Sequence, residues 1–269
     1  MDLLKRKLAP ICTEAWEQID DEARRVLKLN LAGRKLVDFS GPHGWQLAAV
    51  NTGRLTHIHD APVEQVGHAI RDVRPLVELR AQIKLDTLEL DFAARGAQDL
   101  DLDPIISAAE HCARAEDRAI FHGFKPAGIT GIVEASPHTP IVVKASREWP
   151  RAISAAKELL RRAGVGGPYA LALGAPAYDA ATSEEEGALP LRVRIEETMK
   201  DGPLVWAPAL EGGAVLVSTR GGDYELSVGQ DLSIGYTAHD RTQVELFLTE
   251  SFTFRVLEAK AAIFLKLGY

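Results

Sequence analysis

The side chains best suited to chemistry fall into three groups, and each lacks something its chemistry requires. His57 and His59 flank a single residue, with His68 further along, and imidazoles so arranged could ligate a metal. No acidic or cysteine partner completes a recognisable ligand set, and a His-x-His pair in a strand is common by chance. Glu110, His111, Cys112 and Glu116 share one helical stretch and superficially resemble a di-iron site. A ferritin-like centre needs Glu and His three apart on one helix and the same pattern on another, whereas Glu110 and His111 are adjacent and no second helix repeats them. Gly164-Val165-Gly166-Gly167 could cradle a phosphate only if it followed a strand and opened a helix. Here the order is reversed, so the glycines read as a helix stop. No Gly-x-Ser-x-Gly elbow is present, and the eight histidines are scattered without a base beside a nucleophile. No catalytic residue and no metal ligand is assigned.

The elements that would position any site can be read from periodicity. Thr13 is a candidate cap for a helix in which Trp16, Ile19, Ala23, Val26, Leu27 and Leu31 recur at helical spacing, and Gly33 is a candidate stop. Its opposite face carries Asp20, Asp21, Arg24, Arg25 and Lys28. From Leu47 to Leu90 the chain reads as a long extended excursion with little core of its own, interrupted by His57, His59, Asp60 and Pro62. Within it Ile83 and Leu85 alternate with Gln82, Lys84 and Asp86. Asp103-Pro104 starts the best helix of the chain, which runs to Gly123 with Glu116 inside its apolar repeat. A further helix spans Trp149 to Ala163, a strand Tyr169 to Leu173, and another helix Leu191 to Lys200. The runs Ala214 to Ser218 and Tyr224 to Val228 flank Gly221-Gly222, which predicts a hairpin. Gly229 to Tyr236 reads as a chain leaving a sheet. From Thr242 onward a period-2 pattern predicts one long strand, with a bend near Glu250 and with Ala261 to Leu267 pairing beside it.

Composition narrows the classes. The 269 residues are 46% hydrophobic and 26% charged, as in an ordinary globular protein. With 31 basic against 38 acidic residues, the net charge of -7 gives no support for a nucleic-acid-binding surface. Cys12 and Cys112 are expected to be free thiols in a reducing compartment. No stretch approaches a membrane span, and Met1 to Pro10 lacks the apolar region of a secretory signal.

Five stretches together carry a family resemblance: Gly33 to Trp45 (GRKLVDFSGPHGW), Pro75 to Asp91, Gly166 to Leu171, Ala214 to Tyr236, and Leu248 to Leu267. In this order they resemble the encapsulin shell proteins, once called linocin-type bacteriocins, over essentially the whole chain. The resemblance implies an α+β fold of the Hong Kong 97-like phage capsid type. Its subdomains would be an extended loop at about 48–90, a peripheral-domain spine helix at about 104–122 and an axial domain at about 132–220, the remaining segments belonging to the peripheral domain.

It further implies a cytoplasmic, non-enzymatic protein whose main partner is itself, in an icosahedral nanocompartment with pores for small solutes. A cargo enzyme, such as a peroxidase or a ferritin-like protein, would be recruited by a terminal targeting peptide. That peptide would dock against Leu27, Arg34, Asp38, Asp231, Leu232 and Ile234, with an Arg–Asp ion pair orienting it. The acidic loop holding Glu184, Glu185, Glu186, Gly187, Ala188 and Leu189 would surround the fivefold pore; read without the resemblance, it is a solvated loop. Leu88 stands where some members carry a flavin-stacking Trp, so no flavin and no other cofactor is expected. No nucleic-acid or membrane partner is expected. The alternatives are a prophage capsid protein of the same fold, or a small metal-dependent hydrolase using His57, His59 and His68.

Overall fold

The alternation of apolar and polar residues organises the chain around two buried cores that share one long helix and one long strand. The structure is a computed structural model that describes residues 2–59, 63, 65–183, 190–200 and 202–268. In chain order the first elements are α1 (Thr13–Asn30), β1 (Asp38–Ser40), β2 (Ala49–Ile58), β3 (His68–Pro75), β4 (Val77–Asp86), α2 (Thr87–Ala94) and α3 (Asp103–His122). Then come α4 (Ile132–Ala135), β5 (Ile141–Val143), α5 (Trp149–Arg162), β6 (Tyr169–Leu173), α6 (Ala175–Ser183), α7 (Leu191–Met199) and β7 (Leu204–Trp206). The last are β8 (Gly213–Ser218), β9 (Tyr224–Val228), β10 (Ser233–His239), β11 (Gln243–Val256) and β12 (Ala262–Leu267).

One sheet is built on β11, which pairs with β4, β9 and β10, while β1 lies parallel to β9. The other has the order β5-β12-β8-β6-β7, and β2 and β3 form a separate two-stranded hairpin. Helices pack on both sheets, so the fold is of the expected α+β class.

The helix α3 contributes to both cores. Ile105, Ala109 and Cys112 pack with Ile19 and Val26 of α1 and with Ile83 and Leu246 of the first sheet. Ala119, Ile120 and Phe121 pack with Trp149 and Ile153 of α5 and with Leu171 and Leu216 of the second sheet. Between these two apolar stretches Glu116 and Asp117 are fully buried. The strand β11 repeats the arrangement, with Leu246 and Leu248 in one core, Phe252 and Phe254 in the other, and the buried Thr249, Glu250 and Ser251 between.

Several expectations change at the level of pairing. The runs around Gly221-Gly222 do not form a hairpin. Both glycines adopt positive φ, 84° and 78°, and reverse the chain as their chemistry allows. However, β8 joins β6 and β12 while β9 joins β1 and β11, so the turn links two sheets. Local turn chemistry specifies a reversal and leaves the pairing to burial, and every residue of β8 is buried. For the same reason β12 pairs with β5 and β8, not beside β11. The segment after Gly229 enters a strand, β10, rather than leaving the sheet. Only β2 and β3 form a separate extended element, because β4 runs along β11 from Val77 to Asp86 and buries Ile83 and Leu85.

Helix boundaries shift slightly. Cys12 precedes α1 as its N-cap without a side-chain cap bond, so Thr13 is the first helical residue, and Leu102, not Asp103, is the N-cap of α3. Gly33 is not the stop of α1, which ends at Asn30; it opens a single 3-10 turn, Gly33–Lys35.

Gly33 is required for close approach. A Cβ there would lie 2.5 Å from Ile120 Cδ1 and 2.9 Å from Asp117 Oδ1. Gly33→Ala is therefore expected to destabilise the protein by about 1–3 kcal/mol through overpacking, seen as a lowered thermal unfolding midpoint.

Candidate functional site

A groove of about 630 Å³ opens between the C-terminal half of α1 and the start of β10. Leu27 from α1 and Leu31 just beyond its end, Leu232 and Ile234 from the β10 region, and Leu248 from β11 supply apolar surface. Arg24, Lys28, Arg34 and Lys35 stand around it, so a chain of net negative charge presents here a local excess of positive charge. The N-terminal segment helps to wall the groove. The Tyr236 N–H donates to the Leu4 carbonyl at 2.8 Å, adding a backbone bond to β10. Arg6 donates twice to the Asp20 carboxylate, at 3.0 and 2.7 Å, and stacks 3.9 Å over the Trp16 ring.

At the inner end of the groove Arg34 sits on the 3-10 turn that follows α1, where every nitrogen of its guanidinium meets a carboxylate. Nε and Nη2 bond Glu116, the latter to Oε2 at 2.6 Å. Nη2 also reaches Glu250 Oε1 at 2.5 Å, and Nη1 pairs with Asp231 Oδ1 at 2.9 Å. Asp231 Oδ1 accepts in addition from the Leu232 N–H at 2.8 Å, which fixes the turn into β10. Behind this cluster Asp117 accepts from the backbone N–H groups of Ala32 and Gly33 at 2.8 and 2.9 Å. These bonds clamp the turn that carries Arg34 to α3.

The protonation of the cluster follows from its burial. Desolvation alone would weaken the charge on Arg34, but the Glu116 hydrogen bonds and the charges of Glu116, Glu250 and Asp231 outweigh it and hold the guanidinium firmly protonated. Burial, reinforced by the Glu116 charge, pushes the Asp117 carboxyl up to about 7 against the pull of its two backbone donors. Burial, together with the neighbouring Glu116 carboxylate, raises Glu250 well above the ordinary range. Burial and the charge of Glu250 push the Cys112 thiol up to about 12, so it is an inert core residue.

Five of the six groove residues expected from the sequence, Leu27, Arg34, Asp231, Leu232 and Ile234, line this one cavity. Asp38 does not line it. It belongs to β1 and its Oδ2 accepts from the Gly222 N–H at 2.5 Å, holding the turn between β8 and β9. The acidic partners of Arg34 are instead Glu116, Asp231 and Glu250. Glu116 and Glu250 were not expected at a site. The available signal was an acid inside an apolar repeat, since Glu116 lies one turn from both Cys112 and Ile120, and Glu250 interrupts the apolar run of β11.

The other candidates do not converge. Glu110 and His111 are exposed on α3, whereas Cys112 and Glu116 are buried. In the hairpin, His57 pairs with Ala69 and Ile58 with His68, so the His57 and His68 side chains project from opposite faces. Among the described residues no three His, Cys, Asp or Glu side chains group as metal ligands. Leu88 is exposed in the first turn of α2. The segment Glu184–Leu189 lies outside the described residues.

The family described as "Encapsulating protein for peroxidase" matches residues 1–253. The type 1 encapsulin shell protein of Rhodospirillum rubrum is 45% identical over 98% of this chain and 96% of its own length. That of Brevibacterium linens is 43% identical over 99% of this chain and 100% of its own. Among solved structures, the virus-like particle from Pyrococcus furiosus matches with a TM-score of 0.64 at 13% identity, covering 94% of this chain and 100% of that one. A structure of Gordonia phage Cozz matches with a TM-score of 0.56 at 12% identity, covering 89% and 87%. At such identities the likeness speaks for the fold alone, which is that of Hong Kong 97-like phage capsids.

The folded state binds the Asp117 proton more tightly than the unfolded chain does. The contribution of this group to stability is therefore full below about pH 4 and is lost as pH rises through about 7. Asp117→Asn, which cannot titrate, is expected to flatten the fall in unfolding free energy between about pH 4 and 7, read by denaturant unfolding at each pH. The difference in slope from the parent should not exceed about 1.4 kcal/mol per pH unit, one proton's worth.

Proposed function

The chain belongs to the encapsulin shell-protein family, and from that membership we propose that many copies close into an icosahedral shell that holds a cargo protein by a short terminal peptide. Relatives at 41–45% identity over nearly the full length are type 1 encapsulin shell proteins, and the fold is one that phage capsids use to build closed particles. The same identities favour a cargo compartment over a prophage capsid, because the phage structures match at only 10–12%.

Ring-forming contacts need two unlike surfaces on one chain, and the β2–β3 hairpin is the candidate for one of them. The β2–β3 hairpin exposes Leu55, Ile70 and Val73 outside either core, and a neighbouring copy would cover them. The role is structural, and no catalytic step is assigned. No helix among the described residues is long and apolar enough to cross a membrane. We place the particle in the cytoplasm, without bound flavin or nucleic acid.

The observation that carries cargo binding is the groove itself, a hollow of about 630 Å³ beside α1 with an apolar centre and basic side chains around it, a surface suited to a short peptide. Asp38, lying apart from it, acts by fixing the β8–β9 turn. The peroxidase named in the family description is the first cargo to look for.

Native particles should have megadalton mass by light scattering and appear hollow by negative stain; a monomer or small oligomer under the same conditions would overturn the shell. Leu27→Asp and Leu232→Asp place a charge in the apolar part of the groove. They should leave particles intact and reduce co-purifying, protease-protected cargo at least tenfold, and unchanged retention in both would remove the groove from cargo binding. By resemblance, Glu184, Glu185 and Glu186 approach the pore, where a symmetric ring of carboxylates would concentrate cations. Replacing all three with Gln should slow cation entry severalfold with cargo retention unaltered, and equal entry rates would exclude them.

A further inference from the structure

Arg34 presents one face to the groove and two to the interior, and the interior partners are carboxylates that membership of the family does not explain. We propose that Glu116 and Glu250 are positioning residues for the groove, orienting the Arg34 guanidinium so that its remaining nitrogen holds Asp231 and with it the start of β10. The inference rests on the groove reading for its biological use but not for its geometry.

The geometry is specific. Glu116 engages Nε and Nη2 of Arg34 side by side, which fixes the plane of the guanidinium, and Glu250 closes on the outer side of Nη2. Only Nη1 is left to point toward the groove, where it meets Asp231. Both Glu116 and Glu250 are fully buried, whereas the Asp231 side chain is 38% exposed. Arg34 thus transmits the arrangement of the interior to the groove wall.

The two acids differ in their bonds, since Glu116 accepts three hydrogen bonds from Arg34 and Glu250 one. Every ionisable group near the cluster must be counted: Arg34 and Lys35 on the 3-10 turn, Cys112, Glu116 and Asp117 on α3, Asp231 before β10, and Glu250 on β11. One buried cation cannot balance three adjacent carboxylates. Oε2 of Glu250 is buried without any hydrogen-bond donor, as suits a carboxyl that carries its own proton beside the Glu116 carboxylate. Burial and the neighbouring Glu116 thus hold Glu250 toward its neutral form. Ionising Glu250 would add a negative charge beside Glu116, expel the least buried acid, Asp231, and loosen the groove.

The test uses assembled, cargo-free shells and amide hydrogen exchange read by mass spectrometry over residues 230–234, corrected for intrinsic rates. At pH 7, Glu116→Gln should speed exchange in this segment at least tenfold, whereas Glu250→Gln should stay within about twofold of the parent and Glu250→Ala should not. Raising the pH until Glu250 ionises should loosen the segment in the parent and leave Glu250→Gln flat. Equal effects of the two Gln variants, no effect of either, or parallel pH profiles for parent and Glu250→Gln would each overturn the proposal. Should Glu116→Gln fail to assemble, the pH comparison decides alone, and failure of Glu250→Gln to assemble counts against it. Cargo retention in Leu232→Asp is read separately, so the groove reading can fail while the positioning result stands.

Discussion

A guanidinium buried among carboxylates is the constraint around which the rest of this structure is arranged. Removing such a charge from water costs several kcal/mol, and the cost is offset only if every donor finds an acceptor in good geometry. Arg34 meets that condition by drawing one acid from α3, one from β11 and one from the turn before β10. Those three elements are therefore held in one register. The same level of the molecule is where the apolar faces of α3 and β11 both break, so the two cores meet at a polar joint instead of merging. Directional bonds at the joint specify one relative placement of the cores, which apolar packing alone would define less sharply.

Much of this architecture was legible in the sequence because the helices and strands bury one face each. The repeat of Ile19, Ala23 and Val26, the alternation around Ile83 and Leu85, and the glycine after α5 at φ 80° were all readable locally. Strand pairing was not. The turn at Gly221-Gly222 looks the same whether its strands meet each other or separate into two sheets, and fully apolar runs such as β8 carry no facial pattern to distinguish the cases. The groove was half legible. Leu27, Arg34 and Leu232 lie on segments with a recognisable pattern, but the partners of Arg34 are 82 and 216 residues away in sequence. Nothing in either segment announces a partner at that distance. Asp38 shows the opposite case, since the family resemblance put it beside Arg34 at the groove whereas β1 turns it toward Gly222.

The distribution of charge has a similar lesson. A net charge of -7 describes the chain as a whole, yet the groove gathers Arg24, Lys28, Arg34 and Lys35 around an apolar centre. Average composition gave no support for a polyanion-binding surface and carried no trace of this small, locally basic groove. The hairpin is another local departure. Its exposed Leu55, Ile70 and Val73 would be a liability on a solitary chain and make sense on one that never remains solitary.

The N-terminal segment bears on how such a chain could be engineered. Leu4 is bonded to the edge of β10 and Arg6 is fastened to α1, so residues ahead of Leu4 leave the fold from the groove wall. The opposite end of the chain departs elsewhere, with the Gly268 N–H bonded to Val143 on the edge of the second sheet. A peptide, dye or affinity handle joined ahead of Leu4 would begin at the mouth of the groove and act as a tethered competitor, at an effective concentration in the millimolar range for a short linker. The same handle joined after Gly268 would start from a different face and leave the groove open.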